Sequence, residues 1–388
     1  MKKFIRLLLV SSALGSVAFV ALLARGTLQL HATPTFKVNR VPASTRSIFP
    51  HPLFGVVLKN APYQGVERVE QQAGKHLGII EIGQPFDQPL DVRALSIIHA
   101  HGSLPMLTWY PWTKAYSLHG GSKAPLEAYS LRRIYSGSFD DYIRQEARGV
   151  AKFHHPIILR LAPEMNGFWY PWAESPTGNV RGEFRNSNQL GEYVRMWRHV
   201  HDLFEQEGAS NVVWNWSPNI WYWGQKYGFD EYWPGDRYVD LVGVDGYNWG
   251  TAADWSKWFT PGQVFSKTLT ILRRLSNRPV LLSETASTEK GGNKAVWIRQ
   301  FFQFLAQNPD IAGFCWFDYR KETHWSIASS QEALLAFHRG VQRASSDPNT
   351  LLVYLKRGTR EVARRDSSGE DFERLEHARA VGEPRSNG

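Results

Sequence analysis

The chain has 388 residues, 43% hydrophobic and 21% charged, proportions of a packed globular protein that exclude a disordered or fibrous one. A single cysteine, Cys315, excludes an intramolecular disulfide and a metal cluster built on thiolates. The formal charge is +9, but Lys2, Lys3, Arg6, Arg25, Lys37, Arg40 and Arg46 fall in the first 46 residues, which hold no Asp or Glu. The rest is close to neutral, and no Lys/Arg stripe offers a nucleic-acid footprint.

Lys2, Lys3 and Arg6 precede the uncharged apolar run Leu7–Ala24, which Arg25 closes. That is the pattern of an export signal, and at 18 residues the run also reaches the length of a membrane anchor. Residues 1–32 are therefore expected to be a signal peptide or anchor, placing the folded part in the periplasm or outside the cell, with residues 7–24 as a possible membrane tether. Residues 33–49 read as a linker.

From about residue 50, short apolar runs alternate with amphipathic segments. Strands are predicted at 54–59, 77–82, 104–110, 156–161, 211–217, 239–245, 279–283 and 311–318. Most are continuous apolar runs, as strands covered on both faces are. Helices are predicted at 66–73, 91–101, 262–275, 294–307 and 331–342. Three-to-four spacing of Phe139, Ile143, Ala147 and Val150, and of Leu190, Tyr193, Val194, Trp197 and Val200, predicts two more. Eight strands, with helices after nearly all of them, suit a single α/β domain, a (β/α)₈ TIM barrel over 50–345. A doubly wound sheet is the competing architecture, but no glycine-rich phosphate loop follows the first strand. Residues 346–388 are charge-dense and read as a solvated or disordered tail with room for one marginal helix.

The two ends of this barrel differ. Helix-to-strand connections are short, whereas strand-to-helix connections such as WYPWTKAYSLHGG and NIWYWGQKYGFDEYWPGD are long and aromatic. Of the 16 Trp, only Trp197 and Trp297 fall inside predicted helices. Barrel enzymes work at the C-terminal ends of their strands, where these loops gather. A rim of indole faces there suits a sugar chain, whose C–H faces are apolar. Trp109, Trp112, Trp169, Trp172 and Trp316 are the candidates for that rim.

Glycosidic cleavage needs one carboxylic acid to protonate the leaving oxygen and one carboxylate across the anomeric carbon. Glu164 ends the fourth strand and Glu284 the seventh. Strand alternation is expected to put Arg160, Ala162 and Glu164 on one inward face, where charge has no cheap structural reason to be.

These segments resemble glycoside hydrolase family 26: EMNGFWYPW with Glu164, SETAS with Glu284, VDLVGVDGYNW before Tyr247, and CWF around Trp316. The resemblance runs from about Phe54 to His338. It implies a retaining endo-β-mannanase or mixed-linkage β-glucanase on a (β/α)₈ barrel. By it, Glu164 is the acid/base and Glu284 the nucleophile. Tyr247 orients the nucleophile, Trp169 and Trp316 are sugar platforms, and Arg160 matches the family's arginine on that strand. The family's usual histidine before the acid/base is Pro163 here, so a hydrogen bond is lost or supplied elsewhere, with Asn166 as the candidate. The two carboxyl groups are expected about 5–5.5 Å apart.

No cofactor or metal is expected. His99-Ala-His101, His154-His155 and His199-Val-His201 place histidines close in sequence, but residues two apart on a helix do not face one another and no third ligand is evident. The sequence reading is an exported, monomeric, retaining endo-β-glycanase acting on β-mannan. The alternatives are a mixed-linkage glucan or exopolysaccharide substrate, or a non-catalytic carbohydrate-binding barrel.

Overall fold

A computed structural model of the chain describes residues 48–113, 126–174 and 187–355. Eight parallel strands close on themselves in chain order. β1 (Leu53–Val57), β2 (Ile79–Pro85), β3 (Leu104–Tyr110), β4 (Ile157–Leu161), β5 (Val212–Trp216), β6 (Leu241–Asn248), β7 (Val280–Ser287) and β8 (Ile311–Phe317) form the wall. β8 returns to β1 in the register Leu53↔Gly313. β1, β4 and β8 are buried at every residue, because the helical ring covers their outer face and side chains fill the lumen.

The outer layer is α1 (Val66–Ala73), α2 (Val92–Ala100), α3 (Asp140–Phe153), α4 (Glu192–Gln206), α5 (Pro261–Leu275), α6 (Lys294–Gln307) and α7 (Gln331–Val341). Local chemistry sets their ends. Thr260 and Gln263 close a capping box with Pro261 in the first turn of α5, and Asp91, Asn293 and Ser330 cap α2, α6 and α7. Asp140 and Asp141 open α3, where negative charge complements the helix dipole. Between β5 and β6, the described chain forms only the short turns Asp230–Tyr232 and Asp236–Tyr238 around Pro234-Gly235, since that loop carries no amphipathic period.

The predicted fold is therefore the observed one. Three strands run past their expected ends: β2 to Pro85, β6 to Asn248 and β7 to Ser287, and the extensions of β6 and β7 carry the polar residues Tyr247, Asn248, Glu284, Thr285 and Ser287. Residues 347–355 are the described part of a second unit, Asp347–Gly388, and are helical over 349–355. The expected signal or anchor, most of the linker, the rest of the tail, and parts of the loops after β3 and β4 lie outside the described residues. Among the described residues, no helix is long and apolar enough to cross a membrane.

Candidate active site

The lumen is polar at its C-terminal end. Arg160 of β4 is 1% exposed and stands among three carboxylates. Its Nη1 donates to Glu284 Oε1 at 2.6 Å, Glu81 Oε1 at 3.2 Å and Thr108 Oγ1 at 3.2 Å, while Nη2 donates to Asp245. Ser217 completes the shell of Asp245 by donating at 3.0 Å. A guanidinium can serve these acceptors together because its donors form a fixed planar fork. Neither Glu81 nor Asp245 was among the residues singled out from sequence. The signal was present, since each is a lone acid in an apolar strand and a buried arginine demands such partners.

Burial pushes the Glu81 carboxyl up to about 8; Arg160 opposes this and the Glu284 charge adds to it. Burial thus favours a proton on Glu81, and it also raises the Asp245 carboxyl well above its ordinary value, with Arg160 opposing both. The unfolded chain releases the Glu81 proton at the ordinary carboxylate value and the folded chain only near 8, so this group's contribution to stability is lost as pH rises across that interval. Glu81→Gln is expected to remove that slope from the pH dependence of the denaturation midpoint while keeping hydrolysis within about threefold of the parent.

The Glu284 side chain is 16% exposed while its strand neighbours are sealed. Ser283 and Glu284 are consecutive, yet both reach into the lumen, Ser283 to Asn215 at 2.9 Å and Glu284 to Arg160. Simple alternation forbids that. A break in register between Leu282 and Thr285 against β8 supplies the extra turn. Tyr247 donates to Glu284 Oε2, so both carboxylate oxygens are held. Burial and the Glu284 charge keep the Tyr247 phenol well above its ordinary value, which keeps it a donor.

Glu164 arrives differently from the expectation of strand alternation. β4 ends at Leu161, and both Ala162 (φ 43°) and Glu164 (φ 56°) are left-handed, a region that non-glycine residues rarely occupy. The Glu164 backbone N–H donates to Ser217 O at 2.7 Å, tying this bend to the end of β5. Its carboxylate accepts from Trp169 Nε1 at Oε2 and from Asn219 Nδ2 at Oε1, both at 2.6 Å. Gly167 makes the first contact possible, because a Cβ there would sit 2.6 Å from the Trp169 ring. Burial and the Glu284 charge raise the Glu164 pKa, and the Trp169 and Asn219 hydrogen bonds pull the other way.

Asn166 does not touch Glu164. Its side chain pairs with the backbone of Asn219, donating to Asn219 O at 3.0 Å and accepting from Asn219 N at 2.9 Å. The side-chain amide that reaches Glu164 is that of Asn219, with Asn166 holding the Asn219 backbone in place. Nothing in the linear sequence marked Asn219, since its role depends on a loop after β5 meeting the end of β4. Removing Asn219 takes away a donor that favours the ionised carboxylate, which raises the Glu164 pKa. Asn219→Ala is expected to move the basic limb of the kcat/KM pH profile upward by about one unit. An unmoved limb would remove this assignment.

The expected aromatic rim is corrected. Trp109, Trp112, Trp172 and Trp316 are all buried. Trp109 alternates with the inward Thr108 and so faces the helices, packing on Phe86, Tyr142 and Phe204. Trp316 packs outward on Trp297, Phe301 and Phe337, with its N–H on Trp325 O at 3.0 Å. Trp172 donates to Pro163 O at 2.7 Å and stacks on Tyr170, and Trp112 lies edge-on to both. Of these candidates only Trp169 is partly open. Tyr110, Tyr170, Tyr222, Tyr247 and Tyr319 are also partly open, each held above its ordinary pKa by burial first; the next cause is the charge of Glu164 for Tyr170 and Tyr222, of Glu284 for Tyr247 and Tyr319, and of Glu81 for Tyr110. The surroundings are phenolic more than indolic.

A parallel eight-stranded barrel with two partly open carboxyl groups, one raised by the charge of the other, defines the class of barrel proteins with a paired-carboxylate mouth. The sequence profile of Glycosyl hydrolase family 26 matches residues 132–277. Endoglucanase H of Acetivibrio thermocellus is 37% identical over 254 residues, which is 65% of this chain and 26% of that protein. A mannan endo-1,4-beta-mannosidase of Bacillus subtilis is 27% identical over 123 residues, 31% of this chain and 30% of that one. The catalytic domain of the Bacillus sp. JAMB-750 GH26 endo-beta-1,4-mannanase shares the fold, with a TM-score of 0.54 at 18% identity over 76% of this chain and 87% of that one. Over residues 132–277 the chain is similar to glycoside hydrolase family 26. It spans about a quarter of the length of the endoglucanase it matches.

Proposed function

We propose that the protein is a retaining, endo-acting glycoside hydrolase of β-linked polysaccharide, with Glu284 as nucleophile and Glu164 as acid/base. The observation that carries this is the unequal treatment of two neighbouring carboxyl groups. Glu284 has both oxygens held by Arg160 and Tyr247, while the Glu164 pKa is raised by burial and by the Glu284 charge. Such a pair separates into one carboxylate and one acid.

In the first step a Glu284 oxygen attacks the anomeric carbon and Glu164 gives its proton to the departing glycosidic oxygen. The glycosyl ester removes the Glu284 charge, and with it part of what kept Glu164 protonated. Glu164 then takes a proton from water, which attacks the same carbon, and Trp169 and Asn219 stabilise the carboxylate between steps. Two displacements return the original anomeric configuration.

Mannan is one substrate reading. The longer and stronger similarity to a protein named endoglucanase, against shorter matches to mannosidases, favours a glucan backbone. Incubation with mannan, lichenan and carboxymethylcellulose, with reducing ends and chain length followed together, tests both. Release of internal fragments from one of them is the expected result, and no release from any would leave only a glycan-binding barrel. We further propose that residues 1–32 export the enzyme, with residues 7–24 as a tether if uncleaved, and that it acts as a monomer. Membrane fractionation and the size of the mature chain test these.

A further inference from the structure

We propose that Glu70, His76 and His101 form a binding site for a transition-metal dication, zinc by its donor set, on the barrel face opposite the carboxylate mouth. Glu70 lies in the last turn of α1, His76 in the turn leading to β2, and His101 directly after α2. These positions precede the N-terminal ends of β2 and β3, whereas Glu164 and Glu284 stand at C-terminal strand ends. His101 was set aside in the sequence for want of a third ligand; folding supplies Glu70 and His76.

The donor atoms are already gathered. One from each residue lies within 4.8 Å of the others. Glu70 Oε2 and His101 Nε2 are 3.3 Å apart, and Glu70 Oε1 and His76 Nδ1 are 2.9 Å apart. Tetrahedral zinc with bonds of 2.0–2.1 Å separates neighbouring ligand atoms by about 3.3 Å. Two imidazoles and a carboxylate are a borderline-soft set that suits zinc and disfavours magnesium or calcium.

Hydrogen-bond bookkeeping gives the second argument. The Ser103 hydroxyl donates to Leu77 O at 2.6 Å, so toward His101 Nδ1, 2.8 Å away, it can only accept. That fixes the proton of neutral His101 on Nδ1 and leaves the Nε2 lone pair aimed at a carboxylate oxygen. Two acceptors face each other, an arrangement that a cation between them resolves. The outer contacts have the form of a ligand-orienting shell: Ser103 sets the tautomer of His101, and the Leu77 N–H holds Glu70 Oε1 at 2.8 Å. His76 is stacked over His101 with ring centroids 4.3 Å apart and is the most exposed of the three, so its ring is free to tilt until Nδ1 points at the ion. The bound ion would join two successive helix-to-strand turns, a role in holding the fold together with no part in hydrolysis.

The test uses tag-free protein stripped with EDTA and titrated with zinc chloride, followed by calorimetry and thermal unfolding. The expected result is one ion per chain and, at zinc a hundredfold above its dissociation constant, an unfolding midpoint higher by about 5 °C. His76→Ala, on an exposed turn, is expected to weaken binding at least about tenfold with glycan hydrolysis unchanged, and His101→Ala to do the same. Absence of a zinc-dependent shift, an equal shift with magnesium chloride, or parental affinity in both variants would overturn the site.

Discussion

Replacing Glu284 with alanine is expected to lower kcat by at least about 10⁴-fold while the barrel stays folded, since Arg160 keeps Asp245 as its partner. Azide should restore turnover in this variant, because a small anion fits the space the carboxylate leaves and attacks the same face of the anomeric carbon. With a β-linked substrate the product is then the α-glycosyl azide, detectable by NMR. A second consequence follows from the electrostatics. The Glu284 charge holds the Glu164 pKa up, so its removal lowers that pKa and the basic limb of the rescued pH profile should move down. Rescue without product inversion, or full activity in the variant, would remove Glu284 from its role.

Arg160→Leu is expected to be the most destabilising single change in the lumen, costing about 3–5 kcal/mol. Leucine fills much of the space, but Asp245 and Glu284 lose their counter-charge in a buried setting. The urea midpoint measures this, and a loss below 1 kcal/mol would mean that the carboxylates take up protons at little cost. Arg160→Lys is the informative partner. One ammonium cannot reach Glu284 through one nitrogen and Asp245 through another, so it should recover part of the stability and little of the hydrolysis.

The barrel was legible because its strands are uninterrupted apolar runs with amphipathic helices between them, a pattern that survives any detail of packing. Strand ends were less so. Tyr247 lies beyond the predicted sixth strand and Glu284 at the edge of the seventh, yet Asp245 pairs with Glu284 and Tyr247 with Ala286 in the β6–β7 ladder. Polar residues stay in register there because the lumen at that end is itself polar. The tryptophans misled for a geometric reason. Their abundance near strand ends says nothing about which side of the wall they face, and Trp109 and Trp316 face the helices. Asn219 was invisible because its partner, Glu164, is 55 residues away and reaches it only through two left-handed backbone positions.

Those left-handed positions have a consequence for the durability of the enzyme. A glutamate held at φ 56° carries a conformational penalty of about 1–3 kcal/mol that glycine would escape. The most heat-tolerant occupant of position 164 is therefore an inert one. Any laboratory evolution that rewarded survival alone would tend to discard the proposed proton donor, so selection for ruggedness in this scaffold has to be coupled to turnover.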